Sequence, residues 1–282
     1  MKKMKCKYLS VLASVGLTVL LLLAQTNTAL AATAPSLGVA ASFGVLGHEA
    51  VTNTGPSVIH GDLGVSPGTS ITGFFGTVAN EGPGLVTGGT VHQTDTVAQQ
   101  AQTNAHAAYD NLAGQTPYVD MTSSPELGGL TLNPGVYHFD SSAGLTGTLI
   151  LDAKNDPNSV FIFQIGSTLT TAAGSKVVVI NEPENWCKKY WQVGSSATLL
   201  AGTEFVGDIL AHASITLVTG ASLYGRAIAL TGEVTLDTNT ITVPGCPFPT
   251  PTLSWWGLIL LTGLLVSVGF FTLRKSGKLR LG

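Results

Sequence analysis

A threonine between apolar neighbours, followed within a few residues by Gly or Asn, recurs along the second half of this chain. Leu130-Thr131-Leu132 leads to Gly135, Leu169-Thr170 to Gly174, Ala197-Thr198-Leu199 to Gly202, Ile215-Thr216-Leu217 to Gly220 and Val234-Thr235-Leu236 to Asn239; Gly147-Thr148-Leu149 is a weaker member. The threonines at 131, 148, 170, 198, 216 and 235 are separated by 17, 22, 28, 18 and 19 residues. The longest interval contains Asn181-Glu182-Pro183-Glu184-Asn185, which reads as an inserted loop. A period of roughly twenty residues, with short β-rich runs and glycine at the corners, predicts a stack of β-coils, each burying its apolar face against the next.

Local patterning agrees. Val160–Ile165 and Lys176–Ile180 are β-branched and aromatic runs of strand length. In Ile215-Thr216-Leu217 the period of two sends Ile and Leu to one side and Thr to the other, so a narrow coil is filled with apolar groups and coated with hydroxyls. The N-terminal stretch 37–92 echoes the same units: Gly61-Asp62-Leu63-Gly64 followed by Ser70-Ile71-Thr72 parallels Gly207-Asp208-Ile209-Leu210 followed by Ser214-Ile215-Thr216. One segment departs from the β pattern. Val97, Ala101, Ala105, Ala108 and Leu112 recur at helical spacing, with Ala98 and Tyr109 beside them, which predicts a helix over about 94–113, capped by Thr94 or Asp95 and ended by Gly114. Its Ala-rich stripe suits close packing on a sheet, and Gln99, Gln102, Thr103, His106 and Asp110 form the expected solvated side. The helix therefore interrupts one solenoid domain, 32–243, rather than separating two.

The ends read as addresses. Residues 1–31 have the form of a secretory signal, with Lys2, Lys3, Lys5 and Lys7, an apolar run Val11–Ala24, and Ala29-Leu30-Ala31 before Ala32. Residues 244–255 form a linker, 256–273 an apolar segment able to cross a bilayer, and 274–282 a basic tail with Arg274, Lys275, Lys278 and Arg280 on the cytoplasmic side. Between the ends lie all 16 acidic residues but only Lys154, Lys176, Lys188, Lys189 and Arg226, a net charge of −11 that makes nucleic acid a poor partner. Cys187 and Cys246, the mature cysteines, suggest one disulfide in an exported chain, two separate thiols being the alternative.

Chemistry of the catalytic kind finds little support. Right-handed β-helices that cleave polysaccharide need clustered carboxylates, often with calcium, and a basic residue. Here Arg226 is the only mature arginine, and Asp152 and Asp156 sit in turn sequence beside Asn155 and Pro157. Asp62 and Asp208 follow glycines at echoing positions and read as partners of turn backbone. His48, His60, His92, His138 and His212 are scattered without metal-ligand spacing. Neither an enzyme nor a cofactor or metal is expected.

Long ordered segments resemble a known family. Leu37-Gly38, Ala40-Ala41-Ser42-Phe43, Val45-Leu46, Thr52-Asn53-Thr54-Gly55-Pro56 and Gly61–Gly68 are similar to the opening of the ice-binding-protein-like family of bacteria, fungi and algae. So are Pro134-Gly135-Val136-Tyr137, Asp156-Pro157-Asn158, Val160–Ser167, Trp191–Ser195 and Phe205-Val206-Gly207, the likeness extending over 37–243. The resemblance implies an all-β, right-handed, discontinuous parallel β-solenoid of triangular section, with a long α-helix alongside and the N-terminal strands inserted beside the C-terminal ones. It implies a monomer that adsorbs to ice through a flat face, slowing ice growth and recrystallisation, often with a Thr-Ala/Gly-x-Thr/Asn pattern. Thr87-Gly88-Gly89-Thr90 fits that pattern; Thr219-Gly220-Ala221-Ser222 and Thr171-Ala172-Ala173-Gly174 fit in part. Pro251-Thr252-Leu253-Ser254 and Trp256-Gly257 likewise resemble the IPTL-type C-terminal sorting signal of Gram-negative bacteria, with Thr250 where that signal has Ile and Trp255 where it has a polar residue.

On this reading the candidate ice-binding column is Thr131, Thr148, Thr170, Thr198, Thr216 and Thr235, with Thr219 and Thr238 beside it, and Thr240 and Thr242 on the last coil. Stacked coils repeat every ~4.8 Å, close to a lattice repeat of ice, and the β-branch of Thr fixes hydroxyl and methyl in an array. Because Thr216–Thr219 and Thr235–Thr238 are three residues apart, a corner or bulge must follow each strand. A surface solenoid with a structural or adhesive role, and no action on ice, fits the same sequence. If the ends are addresses, protein recovered from the medium or cell surface should begin near Ala32 by intact mass and lack 258–273; finding the whole tail on membrane-bound protein would identify a permanent anchor instead.

Overall fold

The computed structural model describes residues 32–75, 82–182 and 187–245. Residues 1–31, where a secretory signal is expected, Cys246, and the 246–255, 256–273 and 274–282 segments lie outside the described residues. The described residues through Pro244 make one compact unit. Among the described residues no helix is long and apolar enough to cross a membrane.

The repeat folds into three parallel sheets of nine, seven and eight strands, the sides of a right-handed solenoid. Each coil places one strand on each side in turn. In one coil Asp208–Ala211 lies in the nine-stranded sheet, Ile215–Leu217 in the seven-stranded sheet and Ser222–Tyr224 in the eight-stranded sheet. Inward side chains form one continuous core from Val45 to Ile241. Its bulk is concentrated in the nine-stranded sheet, where Tyr137, Phe163 and Trp191 are in register on successive strands. Phe163 and Trp191 stack with ring centroids 3.8 Å apart, and the Trp191 Nε1–H donates to the carbonyl of Val206 at 3.0 Å. A buried indole N–H has to find such a partner.

The stacking order departs from the chain order at one place. Phe43–Gly47 pairs with Ala227–Ala229, Ala50–Asn53 with Val234–Leu236, and Val58–His60 with Thr240–Thr242. The start of the domain is thus stacked on its end. Consequently Val91–Gln93 and Val119–Asp120, neighbours in sequence on either side of the helix, lie at opposite edges of the nine-stranded sheet. Eight strand spacings separate them, roughly 38 Å. Helix α1, Thr96–Ala113, spans 18 residues, roughly 27 Å of that distance. It carries the chain back along the stack.

Helix α1 begins and ends as its sequence dictates. The Asp95 carboxylate accepts from the Ala98 N–H at 2.8 Å, and Gly114 is the C-cap. Gln164, on the sheet beneath, donates its side-chain amide to the carbonyls of Leu112 at 2.7 Å and Gln115 at 3.0 Å, occupying acceptors that the last turn leaves open. Ala101, Ala105, Ala108 and Leu112 are buried against Leu46, Val136, Ile162, Tyr190, Leu210 and Ile228. Two expectations fail here. Val97 is 37% exposed and Gln102 only 6%. The buried stripe runs through Ala98 instead, one position round from Val97, and Gln102 falls near its centre, where its Nε2 donates to the Ala229 carbonyl at 3.2 Å. Against the middle of the helix Gly38, at φ +50°, lies where any Cβ would meet the Asn104 side chain at 2.5 Å. That amide accepts the Val39 N–H at 3.0 Å, fastening the chain start to the helix.

Polar groups reinforce the discontinuity. The Arg226 guanidinium donates to the Ala41 carbonyl from Nε at 2.9 Å and Nη2 at 2.6 Å, and to Asp208 from Nη1 at 2.8 Å. Asp208 is therefore an ion-pair partner rather than a turn residue; burial pushes its carboxyl up from the ordinary range, and Arg226 opposes that. Asp62 does bind turn backbone, accepting the Thr90 N–H at 2.7 Å. Lys189, wholly buried, is held by Glu182 and by the Cys187 carbonyl, and Cys187 is disulfide-bonded. Asp152 accepts from Lys154 Nζ at 2.8 Å, the Lys154 N–H at 2.9 Å and Asn181 at 2.8 Å, led by the Lys154 side chain, which lowers its carboxyl from 3.8 to about 2.

Two measurements check this packing. Ala101→Arg forces a charge into the helix–sheet contact and should destabilise by several kcal/mol, about 3 or more; an unchanged melting temperature would place the stripe in solvent. Since the Asp152 carboxyl is depressed in the fold, its stabilising effect is complete above about pH 4 and is lost as pH falls through about 2. Asp152→Asn should therefore melt earlier than wild type at pH 7, with the gap closing between pH 4 and 2.

Candidate functional site

The seven-stranded sheet carries the candidate site. Its strands run, in spatial order, Ala143–Leu145, Leu169–Thr171, Ala197–Leu199, Ile215–Leu217, Val234–Leu236, Ala50–Asn53 and Ser70–Thr72. Six of them carry an outward threonine, the last residue in Ser70–Thr72, and the register is continuous: Thr170 beside Thr198, then Thr216, Thr235, Thr52 and Thr72. Gly144 takes the same place at the far edge. The flanking residues point inward; Ile215, Val234, Leu236, Val51 and Ile71 are wholly buried. In Leu169–Thr171, Ala197–Leu199, Ile215–Leu217 and Val234–Leu236 the central threonine is the one outward position, which leaves no freedom over which side chain faces solvent.

Thr170 is exposed and the five others are half-buried; Thr72, on the edge strand, has a neighbour on one side only. Among the described residues, none of these six hydroxyls is engaged by another protein group. Two residues earlier in each coil, on the same side by the period of two, runs a second column: Ser142, Thr168, Ser196, Ser214, Glu233, Ala50 and Ser70. Its members do bond between coils. Thr168 Oγ1 donates to Ser142 Oγ at 2.8 Å, and the N–H groups of Ser214 and Glu233 donate to Ser196 Oγ and Ser214 Oγ, each at 3.3 Å. Parallel stacking spaces members of each column by ~4.8 Å.

Beyond the strands the chain turns a corner, as the three-residue spacings require. Thr219 and Thr238 are exposed there, at the rim of the sheet, and both donate their hydroxyls to the Asp237 carboxylate. The expected column is otherwise partly misassigned. Thr131 and Thr148 belong to the eight-stranded sheet, beside Ile150 and Lys176 respectively. In that coil only four residues separate the centre of one sheet from the edge of the next, Gly144 from Thr148, so the local pattern recurs on a different side. Thr240 and Thr242 also lie in the eight-stranded sheet, and not at its end: Val58–His60 stacks beyond them. Thr87-Gly88-Gly89-Thr90 rounds a different corner, from the eight-stranded sheet toward the nine-stranded one. Thr171 points inward, wholly buried, bonded to Thr203 at 2.8 Å. Thr52 and Thr72 were missed, although the echo of Ser214-Ile215-Thr216 in Ser70-Ile71-Thr72 was the signal for one of them.

The other two sides do not share this surface. Helix α1 covers the nine-stranded sheet. The eight-stranded sheet mixes Lys176, Glu204, His60 and Tyr224 with Ile150 and Val178. An open groove of about 370 Å³ on it is lined by Val178, Val206, Tyr224 and Thr242, and its one carboxylate, Glu204, is paired with Lys176 at 2.7 Å. Among the described residues no three His, Cys, Asp or Glu side chains are grouped to hold a metal.

Comparison with known proteins bears on what the threonine sheet does. The family described as Ice-binding-like matches residues 45–242, and the IPTL-CTERM motif matches 248–275. A curated ice-binding protein of Nostoc sp. (strain HG1) is 50% identical over 242 residues, covering 86% of this chain and 84% of its own. A crystal structure of an ice binding protein from an Antarctic biological consortium has a TM-score of 0.71 at 42% identity, over 76% of this chain and 93% of that one. That of an ice-binding protein from the Antarctic ascomycete Antarctomyces psychrotrophicus has a TM-score of 0.68 at 40% identity, over 75% and 98%.

Proposed function

Because this chain belongs to the Ice-binding-like family, we propose that it binds ice, inhibiting ice growth and recrystallisation, and that the seven-stranded threonine sheet is the contacting surface. The observation that carries this is the continuous column of six outward threonines whose hydroxyls, among the described residues, no protein group engages. Ice is a repeating solid, so its binder needs a flat repeating surface rather than a pocket. A hydroxyl with no protein partner keeps its donor and both acceptor sites for water, and the six in the column are in that state among the described residues. Restricted χ1 torsions hold each methyl and hydroxyl in one arrangement, so water ordered between methyls can merge with the crystal. The contribution of each threonine is small, and the array acts collectively.

Export is part of the proposal. The IPTL-CTERM match supports sorting to the cell surface, and the form of 1–31 supports secretion. The disulfide at Cys187 supports an oxidising destination, with Cys246 as its proposed partner.

Thr216→Tyr tests the surface. The substitution keeps β-propensity and should leave the circular dichroism spectrum and melting temperature near wild type. By lifting the neighbouring threonines off the crystal it should weaken recrystallisation inhibition by about tenfold or more. Thr240→Tyr, on the eight-stranded sheet, should leave inhibition intact. Full activity in a folded Thr216→Tyr protein would move the ice-binding surface to another side of the solenoid.

A further inference from the structure

The corner leaving the threonine sheet turns through a left-handed residue in coil after coil. Gly129, Gly147, Gly174, Gly202 and Gly220 take φ between 67° and 84° there, and in the Thr235 coil the residue is Thr238, at φ 57°. A β-branched side chain is poorly suited to that backbone, since its Cβ crowds the following carbonyl. Space is not the obstacle: a Cβ added at Gly129, Gly147, Gly174 or Gly202 would meet nothing within 4 Å. The position projects into solvent, so glycine could serve at 238 as it does elsewhere.

Two contacts distinguish Thr238. Asp237 receives the Thr238 hydroxyl on Oδ1 at 3.0 Å and the Thr219 hydroxyl of the preceding coil on Oδ2. The following coil is shaped around it, because a Cβ at Gly55 would lie 2.2 Å from Thr238 Oγ1. Asp237 itself is fixed through its backbone, its N–H donating to Asn239 Oδ1 at 2.6 Å. Each threonine hydroxyl that donates to the carboxylate still has acceptor capacity for water, and its torsion is no longer free.

We infer that Asp237 is a positioning residue, which holds Thr219 and Thr238 as a fixed corner extension of the ice-contacting surface, and that Thr238 occupies a strained backbone for this purpose at a cost in stability. The inference rests on the threonine sheet being that surface. Glycine at 238 would relieve the strain and remove the side chain together, so stability and activity move in opposite directions. A threonine retained for structural reasons alone moves them differently.

The experiment compares Thr238→Gly, Asp237→Ala and Asp237→Asn with Thr216→Tyr in the same exported protein, measuring melting temperature and ice recrystallisation inhibition. Thr238→Gly should raise the melting temperature by about 2–4 °C while weakening inhibition by about threefold or more. Asp237→Ala should weaken inhibition similarly, and Asp237→Asn, which keeps one acceptor, should recover part of it. A lowered melting temperature or undiminished inhibition in Thr238→Gly overturns the inference, and that variant decides should Asp237→Ala fail to fold. Loss of activity in Thr216→Tyr but not in Thr238→Gly leaves the sheet as the surface and removes the corner from it. The reverse pattern removes the sheet.

Discussion

Register between coils is the constraint on which this protein depends. Parallel strands of two to five residues hydrogen-bond in succession along each side of the solenoid, so a residue's neighbours are set by its place in its coil rather than by its place in the chain. A slip of one residue would turn Ile215 and Leu217 outward and Thr216 inward. The buried apolar pairs beside Thr198, Thr216 and Thr235 prevent that slip, and the same burial that stabilises the coil aligns the column. Stability and surface order therefore have one cause.

A column extended in this way must end, and the ends of a parallel stack expose unpaired backbone. Here the chain's own beginning continues the stack past its last coil, which lengthens the threonine column by Thr52 and Thr72. Helix α1 makes this connection possible by returning the chain along the nine-stranded sheet. Arg226 secures it, joining Ala41 of the chain start to Asp208 of a late coil. The side carrying the helix is closed to any flat partner, and the side carrying Lys176, Glu204 and Tyr224 has a mixed surface. The threonine sheet is the side left regular.

Regularity is not complete within the sheet. Gly144 ends the central column at one edge, and Glu233 and Ala50 interrupt the hydroxyl column beside it. Thr238 runs the other way, placing a side chain where the fold favours glycine. The corner residues thus depart from what the solenoid alone would select, which is expected where a surface is selected for a contact rather than for its own stability.

Sequence by itself determined the coil, the helix and the composition of the surface. Apolar–Thr–apolar triplets at a period of roughly twenty require a stacked β-coil, because only stacking buries their apolar side. Asp95, the alanine stripe and Gly114 specify one helix. Long ordered segments also brought the family, and with it the triangular section and the inserted strands. What the sequence could not assign was the side on which a given threonine lies. Thr131 and Thr148 have the same local pattern as Thr198 and Thr216, yet short corners put them in the eight-stranded sheet. Likewise Gln102 sits among polar neighbours in sequence and beneath the helix in space. Facing direction follows from a local period of two or 3.6, whereas the side of the triangle depends on the summed lengths of all preceding corners. Only the closed, hydrogen-bonded stack fixes that sum, so only the tertiary structure could bring Thr52 and Thr72 into line with Thr235.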